Sequence, residues 1–272
     1  MSDITVVTSY FDIGRGNWPR VVRGREMPWY AHRNEDTYFD YFTRLATLKN
    51  DMVIFTEEKS AEKIRKIRKD NSDGKTNIMI VDLQDSIKSV KPRIETVINR
   101  PEYINLVNNP HFPEYWNADY ILVNLLKSTF VNHAISQGVI DTPLAAWIDF
   151  GYVREAKTLT PGIHWKHDFD TSKMHYFNLR PIDKDRPIFD IIKTGDVYIM
   201  GCHIVGGLEA WKTNQKMTQR NLESLLVSGL MDDDQTFLLM NYLMNTDVID
   251  LHYINENENG WFVIFNKFNN GE

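Results

Sequence analysis

In Trp147-Ile148-Asp149-Phe150-Gly151 an aspartate closes an apolar run and is followed two positions later by glycine. At the carboxyl end of a buried strand such a carboxylate is placed to hold a hard divalent cation, Mg2+ or Mn2+, whose oxygen shell is completed by water and phosphate. The alternative is an aspartate that caps the next turn. A second segment, Gly201-Cys202-His203-Ile204-Val205-Gly206-Gly207, sets paired glycines where backbone can approach a ligand and offer N–H groups to an anion. It meets neither the dinucleotide fingerprint nor the P-loop spacing, and a tight strand-to-helix turn explains it equally well. The third segment is Met231-Asp232-Asp233-Asp234-Gln235-Thr236. Acids that open a helix are favoured by the positive end of its dipole, and Asp233 or Asp234 facing a crevice is placed to act as a base. The Gln235 carbonyl would steady a positively polarised carbon. His252, in Asp250-Leu251-His252-Tyr253, is a candidate metal ligand as a neutral imidazole, although a lone histidine near a strand end is more often structural. His164, His167 and Asp168 follow Pro161-Gly162 in a loop and lack helical metal spacing. Cys202, in an apolar run, reads as a buried thiol.

The elements that must carry these residues follow from periodicity. Residues 4–10, 52–56, 78–81 and 144–148 are apolar or β-branched runs of strand length. Residues 35–48 and 60–70 show helical spacing between them, through Tyr38, Phe42 and Leu45 and then Ala61, Ile64 and Ile67. Strand, helix and strand with short connections specify a parallel α/β sheet whose ligand crevice lies at the carboxyl ends of its strands. A loop with Gly14, Gly16, Arg20 and Arg25 follows the first strand, and Pro92, Pro101, Pro110 and Pro113 restrict residues 87–115 to short helices or loops. Residues 119–137 form the strongest helical pattern, stopped by Gly138. Beyond it the pattern predicts a strand over 196–201, a helix from 206, a helix over 232–244, and closing strands over 248–253 and 261–265.

Composition sets the outer limits. The 272 residues carry 31 Lys+Arg against 37 Asp+Glu, a formal charge of −6, which argues against a dedicated nucleic-acid binder. One cysteine excludes an internal disulfide framework. The first residues lack a basic region and an apolar core, and no apolar run approaches the roughly 18 residues of a membrane span. The expectation is a cytoplasmic protein. Lys59, Lys63, Arg65, Lys66, Arg68 and Lys69 on one helix add the expectation of peripheral contact at the inner face of the membrane. The absence of repeats and linkers predicts one domain over 1–272.

Taken in order along the chain, these blocks resemble the GT-A class of nucleotide-sugar-dependent glycosyltransferases. More narrowly, residues 119–151 are similar to the bacterial HtrL/YibB-like family through Tyr120, Lys127-Ser128, Ala134-Ile135 and Trp147-Ile148-Asp149-Phe150-Gly151, and residues 5–12 fit the same family. The resemblance implies a single GT-A-like α/β domain, its mostly parallel central sheet flanked by helices. Residues 1–150 would form the nucleotide-sugar-binding half and 151–272 the acceptor-binding and catalytic half. GT-A enzymes usually carry Asp-x-Asp at the acidic strand end; here Gly151 takes the place of the second aspartate, which leaves Asp149 as the main metal ligand, joined by His252. By the same resemblance Thr8, Tyr10 and Phe11 take the base and ribose, Lys127 or a loop arginine faces the diphosphate, Gly206 and Gly207 line the donor sugar, and Asp233, Asp234 and Gln235 face its anomeric carbon. The implied function is metal-assisted transfer, with Mn2+ or Mg2+, of a sugar from a nucleoside diphosphate sugar to a glycan or lipid-linked acceptor in surface polysaccharide synthesis. Retention and inversion stay open, and the alternatives are sugar-phosphate nucleotidyl transfer and a non-catalytic glycan- or nucleotide-binding module.

Overall fold

Residues 2–255 and 260–270 are described by a computed structural model. Strand β1 (Ser2–Tyr10) runs into the glycine- and arginine-bearing loop, which forms a 3-10 turn at Arg15–Asn17, a hairpin of β2 (Val21–Val22) and β3 (Arg25–Glu26), and a second 3-10 turn at Trp29–Ala31. Helix α1 (Glu35–Leu45) begins at an Asn34 cap whose side chain accepts from the Thr37 N–H, and it buries Phe39, Phe42 and Leu45. Then come β4 (Met52–Thr56), α2 (Glu58–Asn71) and β5 (Thr76–Ile80). The proline-punctuated stretch becomes four short helices, α3 (Leu83–Ile87), α4 (Lys91–Ile98), α5 (Pro101–Leu106) and α6 (Pro113–Trp116); the last three carry proline in their first two positions, where no helical N–H is lost.

The helix expected over 119–137 is two helices, α7 (Ala118–Leu125) and α8 (Lys127–Ser136), divided at Leu126, so that Lys127 opens a first turn. Gly138 follows with φ +64° and donates its N–H to Ile135, the cap the sequence indicated. Next are β6 (Leu144–Ile148), β7 (Lys166–His167), β8 (Met174–Asn178), α9 (Ile188–Thr194), β9 (His203–Gly207), α10 (Leu208–Val227), α11 (Asp234–Met244), β10 (Ile249–Tyr253) and α12 (Ile264–Lys267).

The main sheet has the order β10-β8-β9-β6-β1-β4-β5, with β7 paired to β1. Its β1–β4, β4–β5, β1–β6 and β8–β10 pairs are parallel, and β9 runs antiparallel between β6 and β8. It is the mostly parallel α/β sheet expected, with helices on both faces. Side chains alternate across it: Leu144, Ala146 and Ile148 join one core with Val6 and Ile54, while Ala145 and Trp147 join the other with Val7 and Phe55. From β1 the chain moves outward through β4 to β5 and then returns to β6 on the other side of β1. The β1/β6 boundary is therefore the topological switch point, where a crevice opens beyond the carboxyl ends of the strands.

Two sequence expectations change here. The strand placed at 196–201 lies later, at His203–Gly207, and only an isolated bridge from Ile199 to Asn178 marks the earlier segment. Residues 261–265 form a 3-10 turn at Gly260–Phe262 and the start of α12 rather than a strand, their rings packing inward through irregular backbone. The expectation of membrane contact through α2 is untested; of its basic side chains Arg68 is turned into the protein, and several others pair with acids at the surface. Arg68 is 1% exposed and donates to the carbonyls of Ala46, Leu48 and Asn50, while Lys63 pairs with Glu35, Arg65 with Glu62 and Lys66 with Asp70. Among the described residues no helix is long and apolar enough to cross a membrane.

Candidate active site

Beyond the carboxyl ends of β1 and β6 lies a cavity of about 510 Å³. Lys127 forms its floor. The ammonium is 2.8 Å from Asp234 Oδ2, 3.0 Å from Asp149 Oδ1 and 2.9 Å from the Gly201 carbonyl, to which it donates. The side chain is 5% exposed. Burial alone would lower its pKa, but the facing carboxylates of Asp149 and Asp234 reverse that and the net shift is upward. Trp147 Nε1 donates to the same Asp149 Oδ1 at 2.8 Å, and no described group occupies Oδ2. Gly201 is required by this arrangement: a Cβ there would lie 2.0 Å from Asp234 Oδ2.

The Lys127 and Asp234 positions depend on a buried amide network behind them. Asn214 on α10 donates to Ser128 Oγ at 2.9 Å and accepts from Asn241 of α11 at 3.0 Å and from the Tyr176 hydroxyl of β8. Asn221 adds a bond to Asn241 at 2.7 Å. Asn214 and Asn241 are 0% exposed, so breaking one link leaves an unpaired polar group in the core. The network fixes α8, which carries Lys127, against α11, which carries Asp234.

One wall is acidic. Asp233 caps α11, its Oδ1 accepting from the Gln235 N–H at 3.1 Å, and Asp233, Asp234 and Gln235 all reach the cavity. Asp232 instead turns inward to Thr236 and to the Asp233 N–H. Glu114, from α6, faces the same space. Burial and then Asp233 push Glu114 up to about 8; burial and then Glu114 push Asp232 up to about 8. Asp233 is raised well above the carboxylate range by burial, then by Asp234 and Asp232.

Another part of the lining is cationic and aromatic. Arg15 donates to the Ala31 carbonyl at 3.1 Å and to the Tyr38 hydroxyl at 2.5 Å, and its guanidinium stands 5.1 Å from the Trp18 ring centre. Arg33 lies against the same tyrosine, and Arg154 stands 4.9 Å from the Phe262 ring centre. Burial, then Arg154, holds the Arg33 guanidinium below its usual value. Trp29 lines the mouth and is 86% exposed.

The sequence candidates are distributed unevenly over this geometry. Tyr10, Phe11, Lys127, Asp149, Gly151, Asp233, Asp234 and Gln235 line the cavity. Thr8 does not; it is buried in β1 with its hydroxyl unpartnered. Gly206 and Gly207 sit at the far end of the sheet, because antiparallel β9 pairs His203 with Ile148 and Gly207 with Leu144. There they permit close chain packing, a Cβ on Gly207 falling 1.7 Å from the Thr171 carbonyl oxygen. His252 lies outside the cavity, among Phe169, Phe177 and Phe268, with Nε2 3.0 Å from His175 Nδ1. Since His175 Nε2 donates to the Asp170 carbonyl at 2.9 Å, its Nδ1 accepts and His252 Nε2 carries the proton. The sequence offered an arginine of the Arg20–Arg33 loop, and Arg33 lines the cavity, whereas Arg15, Arg154, Glu114 and the amide network were not found from sequence. A cue existed for Arg154, which lies three residues beyond Gly151.

A Mg2+ or Mn2+ ion does not fit this donor set. Lys127 holds the position between Asp149 and Asp234 that a cation would take, and Asp149 Oδ1 is already engaged twice. A Cβ on Gly151 would meet the Tyr38 ring at 3.0 Å, which opposes a second acid there. Among the described residues no group of three or more His, Cys, Asp or Glu side chains is arranged to hold a metal.

Residues 2–270 match the family model described as "Bacterial protein of unknown function (HtrL_YibB)". Protein HtrL of Escherichia coli (strain K12) is 36% identical over 274 residues, spanning 98% of this chain and 93% of that protein. Among solved structures, apo mouse xyloside xylosyltransferase 1 has a TM-score of 0.46 at 12% identity, covering 92% of this chain and 84% of its own. The 4-diphosphocytidyl-2C-methyl-D-erythritol synthase of Anaerococcus prevotii has 0.40 at 11% identity, covering 93% and 87%. Neither structural likeness bears on chemistry.

Proposed function

The chain belongs to the bacterial HtrL/YibB family, and we propose that it is a glycosyltransferase moving a sugar from a nucleoside diphosphate sugar to a glycan or lipid-linked acceptor in surface polysaccharide synthesis. The observation that carries this reading is the cavity at the β1/β6 switch point, cationic and aromatic in one part of its lining and carboxylate in another. Such a site suits a substrate with a flat base, an anionic bridge and a hydroxylated ring.

In this reading the β1 end, with Tyr10 and Phe11, takes the nucleoside, and exposed Trp29 offers a ring face to base or sugar. Asp149 Oδ2 accepts from a donor hydroxyl. When the sugar–phosphate bond breaks, its electron pair leaves with the diphosphate, whose growing negative charge faces the arginine wall. The acceptor oxygen bonds to the anomeric carbon and must release its proton. Asp234 is tied to Lys127; if configuration inverts, Asp233 receives that proton once it is ionised in the complex, since burial and its acid neighbours hold it protonated in the empty cavity. If Gln235 faces the anomeric carbon instead, retention is favoured, and the anomeric configuration of the product separates the two.

The test is a thermal-shift screen of nucleoside diphosphates and their sugars, followed by donor hydrolysis assays. Selective stabilisation by one nucleoside diphosphate is expected, with Asp233→Asn keeping that binding while losing hydrolysis and transfer. Absence of stabilisation by any of them overturns the reading. Release of inorganic diphosphate from a nucleoside triphosphate and a sugar 1-phosphate would replace it with nucleotidyl transfer.

A further inference from the structure

About half of the chain's Lys and Arg side chains pair with acids. Arg186 lies 2.6 Å from Asp196, Arg93 2.7 Å from Glu223 and Lys91 2.7 Å from Asp119. Arg15, Arg33 and Arg154 line the cavity, and among the described residues none of the three has a carboxylate within ion-pair distance. They come from three separate segments, the loop after β1, the approach to α1 and the turn after β6, and they converge on one wall of the cavity. Arg15 is anchored, with one bond to Tyr38 and two to backbone carbonyls. Arg33 and Arg154 are close enough to repel each other, and Arg33 is repelled by Arg15 as well. Gathering like charges without counter-charge is unfavourable, and an anion with several oxygens would relieve it through paired guanidinium hydrogen bonds.

Among the acids of the lining, Asp149 and Asp234 have a counter-charge built in. Lys127 bridges Asp149 and Asp234 with its own side chain 5% exposed. The cavity therefore has two carboxylates that already share a cation, and three guanidinium groups that have no carboxylate within ion-pair distance among the described residues. That distribution is the reverse of a site that recruits a metal to bring an anion in.

We propose that this cavity binds the donor's diphosphate without a divalent cation, through Arg33 and Arg154 with Arg15 anchoring the wall, while Lys127 occupies the place between Asp149 and Asp234 that a metal would take. The proposal rests on the transferase reading and specifies how its donor is held. During transfer the arginines would stabilise the leaving diphosphate, the task a divalent cation performs in metal-dependent members of the GT-A class.

The experiment is a calorimetric titration of the full chain with UDP, GDP, CDP, ADP and dTDP, in EDTA and again in Mn2+ or Mg2+. One nucleoside diphosphate should bind with equal affinity in both conditions. Arg33→Ala and Arg154→Ala should each weaken it tenfold or more, with the corresponding nucleoside binding far less affected. Mn2+ alone should leave the melting temperature of the parent chain unchanged and raise that of a folded Lys127→Met variant, in which the two carboxylates face each other without an ammonium. Binding that appears only with Mn2+ or Mg2+ overturns the proposal and leaves the transferase reading standing, as does undiminished binding by the Arg33→Ala/Arg154→Ala double variant. Failure of all five diphosphates in both buffers removes the reading and the proposal together.

Discussion

His203 and Lys127 are both enclosed, at 0% and 4% exposure, and their surroundings treat them in opposite ways. His203 sits among the rings of Tyr152, Trp165, Phe177 and Phe265, with centroids 5.1–5.4 Å away, and neither ring nitrogen has a partner. Burial pushes its pKa down to about 3, so it stays neutral. Lys127 keeps its charge, held by two carboxylates and a carbonyl on the floor of an open cavity. A buried group that stays neutral needs no counter-charge from its pocket, and no ligand is needed to complete it. A buried charge demands a built environment, and here that environment opens onto a space with three further unpaired cations. The second pattern is the one that points to chemistry.

The largest effect expected from breaking this contrast is at Lys127. Lys127→Met leaves Asp149 and Asp234 without the ammonium between them, and the loss of one partner from a buried ion pair costs about 3–5 kcal/mol. Urea unfolding should show a correspondingly lower midpoint with an unchanged slope. Adding Asp234→Asn to that variant should restore much of the loss. If Lys127→Met costs nothing, the ion pair contributes no stability and the contrast with His203 collapses.

A smaller effect separates the two regions by pH. The unfolded histidine titrates near 6.5, whereas His203 and His252 are pushed down to about 3 and about 4 by burial. Unfolded chains then bind more protons than folded ones between those values, so this contribution is lost as pH falls below about 6.5. Glu114 and Asp232 work the other way. With folded values of about 8 against an unfolded value near 4, their contribution is complete below about pH 4 and lost as pH rises through 8. Above about pH 6.5 only the acids contribute, so stability should decline from there to pH 8. Glu114→Gln should flatten that decline, raising the melting temperature at pH 8 by about 2 °C, the size of a shift near 1 kcal/mol for a chain of this length. His203→Leu should leave the alkaline limb unchanged and weaken the acid one. An alkaline limb as steep in Glu114→Gln as in the parent chain would show that this carboxyl is ionised in the folded cavity.

How much of this was legible in the sequence follows from which signals are local. The apolar runs that became β1, β4 and β6 are local, and so is Asp149 at the end of the last. Asp233 and Asp234 announce a helix start by composition, and the structure puts both on the cavity wall. Met174-His175-Tyr176-Phe177-Asn178 has strand-like aromatic content in a proline-bounded stretch; no element is assigned to it from sequence, and it forms β8. The displacement of β9 to His203–Gly207 had a larger consequence, because an antiparallel strand carries its last residues away from the site and takes Gly206 and Gly207 with it. A loop arginine was expected at the diphosphate, but the convergence of three was illegible for a different reason. Arg15, Arg33 and Arg154 are surface-type residues in irregular segments, and only the tertiary fold brings them against one another. Asn214, Asn221 and Asn241 were hidden likewise, since amides on a helix are ordinarily solvent-facing.

The smallest expected effect is the most discriminating for the site itself. His252 was a metal-ligand candidate by residue type and late position, yet its Nε2 proton is given to His175 and its ring is stacked on Phe177, 5.3 Å between centroids. Its neighbours are aromatic side chains of β8, the loop before it and the segment after α12, none of which lines the cavity. Replacing it with glutamine keeps a donor for His175 Nδ1 while removing the imidazole, so nucleoside diphosphate binding should be unchanged within error, with or without Mn2+. Stability should fall by about 1 kcal/mol or less through weakened ring packing, and part of the acid limb should disappear with the imidazole. A Mn2+-dependent loss of binding in His252→Gln would place this histidine at the cavity after all. It would also make the arginine wall a supplement to a metal rather than its substitute.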